Sequence, residues 1–231
     1  LSSDFVVDAV YVAKDEAYPI MTLWTREDDI KMGYYRPMTL SRAKMAVDEK
    51  GNITAFKADL INQSLTKGTM FESMMFKDGI DKTQREGIED HPYKIATHDL
   101  KAFSPTSPVT VLWLRSVGHT VSAPIVENII DQAAIASNID PLDFRIKNLQ
   151  NPRFVKLLEN VAAQSNWYKR EKNSGFGVAI AESFGSIVAY VVKVKVENND
   201  YKVQNVWAAV DCGMAVNPLG IENQIESAVN F

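Results

Sequence analysis

The sequence predicts an α+β fold, with antiparallel hairpins and sheets packed against a helical cluster. Three observations carry this. Residues 38–62 show a two-residue alternation on either side of Asp48-Glu49-Lys50-Gly51-Asn52, the pattern of a hairpin closed by a glycine turn. Residues 119–167 repeat apolar side chains at helical spacing, with Asp140-Pro141 and Pro152 marking fresh helix starts. Residues 177–210 return to strand-like apolar runs. Strands at both ends with helices between them indicate α+β rather than strand–helix alternation.

The elements follow in order. Asp4 precedes an apolar run, Phe5 to Ala17, read as a helix that Asp4 can cap. Ile20 to Thr25 reads as a buried strand, and Arg26-Glu27-Asp28-Asp29 as a charged turn. Met38–Val47 and Ile53–Asn62 form the hairpin. The polar stretch 63–92, with Gly68, Gly79 and Gly87, reads as an irregular excursion with one short helix. Tyr93–Phe103 and Val109–Leu114 are strand candidates separated by Ser104-Pro105-Thr106-Ser107-Pro108. Helices are expected over His119–Ser137, from Asp140-Pro141 to Leu149, and from Pro152 to Trp167. Lys169–Ser174 is a charged connector, Glu197-Asn198-Asn199-Asp200 a turn, and Asn217-Pro218 opens a last helix. The expected division is a sheet-rich part over 1–118, a helical segment over 119–168, and a second sheet with a helix start over 169–231.

Composition narrows the function classes. With 231 residues and 46 % apolar side chains, the chain can bury a sizeable core and is not intrinsically disordered. Twenty-five basic against 29 acidic residues give a net charge of −4. A mildly acidic chain lacks the basic footprint of a nucleic-acid binder, so no nucleic-acid partner is expected. A single cysteine, Cys212, excludes an internal disulfide and any cysteine-rich metal cluster. No apolar run reaches the roughly 18 residues of a membrane-spanning helix. The first residues, Leu1-Ser2-Ser3, do not read as a signal peptide, and the chain reads as a piece of a longer protein.

Few residues suggest chemistry by themselves. His91, His98 and His119 lack metal-ligand spacing. Cys212, in Val210-Asp211-Cys212-Gly213, is either a nucleophile or a small buried thiol. Arg26-Glu27-Asp28-Asp29 is either a cation site or a solvated turn. The four tryptophans lack the spacing of a base-stacking platform. Two loops offer more. Leu114-Arg115-Ser116-Val117-Gly118-His119-Thr120 joins a strand to a helix, where unpaired amides and an arginine suit an anionic group. The same pattern also fits a capped helix with Arg115 in a salt bridge. Ala181-Glu182-Ser183-Phe184-Gly185-Ser186 places a carboxylate in apolar sequence, which favours a raised pKa and an acid or base role. A glutamate facing solvent at a bulge fits it too.

Segments along nearly the whole chain, in order, resemble the large molybdenum subunit of the xanthine dehydrogenase and aldehyde oxidase superfamily, isoquinoline 1-oxidoreductase beta-subunit type. They are Trp24-Thr25-Arg26-Glu27-Asp28-Asp29-Ile30, Tyr34-Tyr35-Arg36-Pro37, Trp113 to Thr120, Val126-Glu127 with Ile130-Asp131, and Asp140-Pro141-Leu142-Asp143-Phe144-Arg145. Glu182 to Ser186, Val210 to Gly213, Val216-Asn217-Pro218 and Gln224-Ile225-Glu226 complete the set. The resemblance implies a buried molybdenum cofactor, molybdopterin cytosine dinucleotide, in a protein that oxidises an aldehyde or an N-heterocycle with water as oxygen source. It implies electron transfer to a small subunit carrying [2Fe–2S] clusters. It assigns cofactor contact to Arg115, Ser116, Val117, Gly118 and Gln224, and the substrate pocket to Val117, Ile180, Ala181 and Glu182. Val117 stands where purine-oxidising members carry a phenylalanine, which argues against purines.

The match has departures. Ser227-Ala228 replaces a Gly-Gly pair. The family's Gly-Gly-Gly-Phe-Gly segment is expected before residue 1, its Gly-x-Gly-Glu segment with the base glutamate beyond Phe231, and its Gly-Gln-Gly segment is absent. No catalytic residue is therefore expected within these residues, and the isolated piece is expected to be inactive, with the rest of the large subunit as its partner. Relatives of this branch are often periplasmic. A scaffold that kept the fold without the cofactor is the alternative reading; a hydrolase built on Glu182 lacks a partner group.

Overall fold

The computed structural model describes residues 4–171, 175–198 and 200–230. Helix α1 (Asp4–Ala13) and helix α2 (Arg26–Met32) precede strands β1 (Thr39–Val47) and β2 (Ile53–Asn62). Next come a one-turn helix α3 (Glu72–Met75), the two-residue strands β3 (Phe76–Lys77) and β4 (Ile80–Asp81), a 3-10 turn at Lys82–Gln84, and strand β5 (Thr97–Phe103). Helices α4 (His119–Ala136), α5 (Pro141–Asn148) and α6 (Pro152–Ser165) form the central cluster. Strands β6 (Gly175–Ser183), β7 (Ser186–Glu197) and β8 (Asp200–Asp211) and helix α7 (Pro218–Asn230) complete the chain.

The hairpin β1–β2 is set by local chemistry. Asp48 accepts from the amides of Lys50 and Asn52, and Gly51 takes φ +74° to close the bend. Asn148 of α5 then ties the turn down, accepting from Ile53 N and donating to the Gly51 carbonyl. Phe56, Ala58 and Leu60 point inward from β2 at the strand period. The helix starts follow their caps: Asp140 accepts from Leu142 N ahead of Pro141, and Asn151 from Arg153 N ahead of Pro152.

Two three-stranded sheets result, β1–β2–β5 and β6–β7–β8. Helix α4 packs on β1 and on β6, α6 packs on β7 and β8, and α5 bridges α4 and α6. One continuous core runs through Phe56, Ile130, Phe144, Leu158, Trp167 and Val191.

The fold is α+β with a helical cluster against the sheets, as expected, and several elements differ. The β2–β5 pairing is parallel, not a hairpin, and the strand expected from Tyr93 begins only at Thr97. Ile20–Thr25 is not a strand: Met21 is 88 % and Leu23 79 % exposed, and among the described residues no strand pairs beside them to bury their alternation. Arg26–Asp29 is the first turn of α2, because Thr25 and Asp28 form a reciprocal capping box. Val109–Leu114 makes a single bridge, Tyr35 to Val111, instead of a strand. The connector expected at 169–174 lies partly outside the described residues, as does Asn199 of the β7–β8 turn. Among the described residues, no helix is long and apolar enough to cross a membrane.

Candidate functional site

Segment 33–36 lies alongside 110–112: Tyr35 N donates to the Thr110 carbonyl and Leu112 N to the Tyr35 carbonyl. This puts Arg36 beneath the 115–118 loop. Its Nη1 donates to the Arg115 carbonyl at 2.9 Å and to Thr120 Oγ1 at 3.0 Å, and Thr120 Oγ1 donates to that same carbonyl at 3.0 Å. The loop is strained. Ser116 has φ +71° and Val117 φ +46°, the latter a left-handed conformation that a β-branched residue rarely takes. Gly118 is required for space, since a Cβ there would run into the Thr83 carbonyl and the Glu86 side chain.

Arg115 extends from this loop to Gln224 on α7, Nη2 to Oε1 at 2.9 Å. The two residues are separated by 109 positions in the chain. The loop amides are engaged internally. Val117 N donates to the Leu114 carbonyl, His119 N to the Ser116 carbonyl, and Gly118 N to Glu86 Oε2 at 3.1 Å. Burial pushes the Glu86 carboxyl up, against the opposing pull of the Gly118 amide and of His119, whose Nδ1 lies 3.9 Å away.

Beside the loop lies a cleft of about 460 Å³. The start of α4 (His119, Ser122, Ala123), Glu86, Gly87 and Asp90 to Pro92, and the β6–β7 hairpin line it, and Ile180, Ala181 and Glu182 all face it. Val117 does not: it belongs to a separate crevice of about 20 Å³ with Arg36 and Trp113. The four residues assigned to a substrate pocket are thus split between two neighbouring hollows. Glu182 stands exposed at the mouth rather than in apolar surroundings. Cys212 is a half-buried free thiol. The Asp211 carboxylate before it takes a two-pronged bond from Arg153 at 2.8 and 2.9 Å; that bond, with the Gly213 amide, lowers its pKa to about 2.

The cleft wall holds an arrangement that the sequence did not reveal. Glu127 Oε2 accepts from Arg145 Nε and from the Ile180 amide, both at 2.9 Å, and Oε1 from Tyr93 OH at 2.6 Å. Burial together with the Glu127 charge pushes the Tyr93 phenol far up. The segments Val126-Glu127, Ile130-Asp131 and Asp140–Arg145, which the family resemblance singles out one by one, therefore meet as one ion cluster through Glu127, Asp131 and Arg145. Two histidines also meet, His91 Nε2 to His98 Nε2 at 3.0 Å. Among the described residues, no group of three or more His, Cys, Asp or Glu is arranged to hold a metal ion.

Comparison with known proteins gives these segments a context. The beta chain of isoquinoline 1-oxidoreductase from Brevundimonas diminuta is 27 % identical over 97 % of this chain and 30 % of its own length. The B chain of nicotinate dehydrogenase from Pseudomonas putida is 22 % identical over 99 % of this chain and 21 % of its own. The chain thus spans under a third of these relatives. The fold is similar to that of a reconstituted CO dehydrogenase from Oligotropha carboxidovorans, with TM-score 0.54, 13 % identity, and coverage of 88 % of this chain and 30 % of that one. Residues 4–149 and 124–230 each match a molybdopterin cofactor-binding domain, and the chain belongs to that family.

Proposed function

We propose that this chain is part of the large subunit of a molybdenum hydroxylase that oxidises an aldehyde or an N-heterocycle, with water as the oxygen source. The carrying observation is the Arg115–Gln224 contact at 2.9 Å. Two residues that the family resemblance assigns to the cofactor come together across 109 positions of the chain. A guanidinium beside a carboxamide is a donor set that fits the phosphates and amide-like edges of a pterin dinucleotide. When bound, the molybdenum cofactor supplies the two-electron oxidation of an electron-poor carbon. Arg115 holds the anionic portion, Gln224 orients the arginine, and the strained Ser116–Val117 turn sets where the guanidinium points.

The cleft at Ile180, Ala181 and Glu182 is read as part of the substrate wall. Ile180 and Ala181 add apolar surface to the cleft, while the Ile180 amide is already taken by Glu127 and gives the wall a fixed shape. The two heterocycle-oxidising relatives support an N-heterocycle; both are named as one chain of a larger enzyme, which supports a partner subunit here. A cytosine dinucleotide form of the cofactor and a [2Fe–2S] partner complete the reading.

A scaffold without cofactor remains the second reading, favoured by one observation: the amides of Val117, Gly118 and His119 are engaged within the protein. The test uses the full-length large subunit co-expressed with its native partner. Molybdenum content and aldehyde- or quinoline-dependent dye reduction are measured in wild type and Arg115→Ala. Near-stoichiometric molybdenum in wild type, with cofactor content and activity falling at least tenfold in the variant, is expected. A well-folded wild-type complex without molybdenum or activity would leave the scaffold reading.

A further inference from the structure

We infer that Arg36 is a positioning residue for Arg115: it clamps the strained 115–118 turn from below and so fixes the guanidinium against Gln224. The inference rests on the cofactor reading above and extends it to a side chain that bonds the backbone of the 115–118 loop. The Arg115 carbonyl accepts two hydrogen bonds, from Arg36 Nη1 and from Thr120 Oγ1. Arg36 Nη1 also donates to Thr120 Oγ1, so the three groups close a ring around the one carbonyl that precedes the left-handed pair Ser116–Val117. A turn with two non-glycine residues at positive φ stores strain and persists only where its surroundings over-determine it.

Here the constraints are of two kinds. On the far side, Gly118 is pressed against Thr83 and Glu86. On the near side, the Arg36–Thr120 ring holds the carbonyl. Arg36 is itself held in place, since Tyr35 is paired on both of its backbone groups with Thr110 and Leu112. The clamp therefore reports the position of segment 33–37 directly to Arg115. Releasing it lets the turn relax toward negative φ, rotates the Arg115 Cα–Cβ bond and separates the guanidinium from Gln224.

The experiment measures cofactor retention in the full-length complex after gel filtration, as molybdenum and as pterin fluorescence after oxidative release. The variants are Arg115→Ala, Arg36→Ala, Arg36→Lys, Thr120→Val and the Arg36→Ala/Arg115→Ala double variant. Losing a hydrogen bond from a charged donor predicts about tenfold weaker retention in Arg36→Ala. A smaller loss is expected in Thr120→Val, and partial rescue in Arg36→Lys, which keeps a cationic donor. The decisive result is the cycle: if Arg36 acts through Arg115, the double variant is no worse than Arg115→Ala alone. Additive losses, or full retention in Arg36→Ala while Arg115→Ala loses the cofactor, would overturn the inference and leave the cofactor reading standing. Full retention in Arg115→Ala would overturn both. Thermal unfolding of each variant separates a misfolded protein from a lost clamp, and Thr120→Val repeats the test by removing a neutral group if Arg36→Ala does not fold.

Discussion

Arg145 donates its Nε to Glu127 Oε2 at 2.9 Å with the arginine side chain wholly shielded from solvent. Its Nη1 reaches Asp131 at 2.7 Å and the Pro141 carbonyl at 3.0 Å, and Nη2 the Glu127 carbonyl. Glu127 in turn holds Tyr93 and the backbone of β6. One ion pair thus joins α4, α5, the approach to β5 and the cleft wall. Burial opposes the charge on Arg145, and the Glu127 carboxylate overrides it, so the guanidinium pKa stands above its ordinary value. Removing the cation leaves Glu127 buried and uncompensated. Arg145→Met should therefore cost about 3–5 kcal/mol, read by urea unfolding. Adding Glu127→Gln to that variant should recover part of the loss; a variant as stable as wild type would assign the cluster no role in holding the fold.

That cluster also marks how far the sequence can be read. Turns and caps were legible because their chemistry is local: Asp48 through Asn52 closes its own bend, and Asp140-Pro141 starts its own helix. The Ile20–Thr25 run misled because alternation states what a strand would bury, not whether a sheet is there to receive it. The parallel partner of β2 is set by a long connection through residues 63–96 that carries no periodic signal. At the site, Ile180, Ala181 and Glu182 do face one cleft, but Val117 faces another, since its left-handed φ turns it away. No spacing rule links Arg115 to Gln224; only the family resemblance named them together.

Asp81 organises the irregular excursion. Its Oδ2 accepts from Ser64 Oγ, Leu65 N, Thr66 N and Thr66 Oγ1, and its Oδ1 from Thr83 N and Thr83 Oγ1. Burial raises this carboxyl, but the Ser64, Thr83 and Thr66 donors outweigh burial and hold it below the ordinary 3.8. The sign follows: the stabilisation is complete above the unfolded value and is lost as pH falls through the lower folded value. Asp81→Asn puts an NH2 group among donors and should cost about 2–3 kcal/mol at neutral pH. It should also remove this group's share of the acid destabilisation below about pH 4. Stability curves for both proteins from pH 7 to pH 2 check this; parallel curves would exclude Asp81 as the acid-sensitive group.

His91 predicts a second, higher pH window. Tyr93 N donates to its Nδ1, so the ring proton sits on Nε2 and is given to His98 Nε2. Burial, then repulsion from His98, pulls the His91 pKa down from 6.5 to about 4, with Asp90 pulling weakly the other way. Below pH 6.5 the unfolded chain takes up a proton that the folded one refuses. Stability is therefore full above about pH 6.5 and falls progressively toward pH 4, by at most about 3 kcal/mol. His91→Gln should flatten that slope. The ring Cε1–H resonance of His91, followed by NMR, should titrate near pH 4; titration near 6.5 would contradict the assignment.

Phe184 sets stability against function at the cleft mouth. Phe184 and Gly185 occupy the two central positions of the β6–β7 turn with φ +51° and +81°, between the paired Ser183 and Ser186. Such a turn favours Asn-Gly, because asparagine tolerates the left-handed conformation and phenylalanine is sterically strained there. The ring nevertheless stands 80 % exposed, with its centroid 6.2 Å from that of His119 across the cleft. Phe184→Asn should relieve strain and raise stability by roughly 1 kcal/mol. On the proposed function it should also raise KM for an N-heterocycle several-fold while leaving kcat and the KM for a small aldehyde nearly unchanged, because only the flat ring loses a stacking surface. A melting curve and steady-state kinetics on the full complex measure both arms. Raised stability with unaltered heterocycle KM would make Phe184 a strained turn residue with no part in substrate binding.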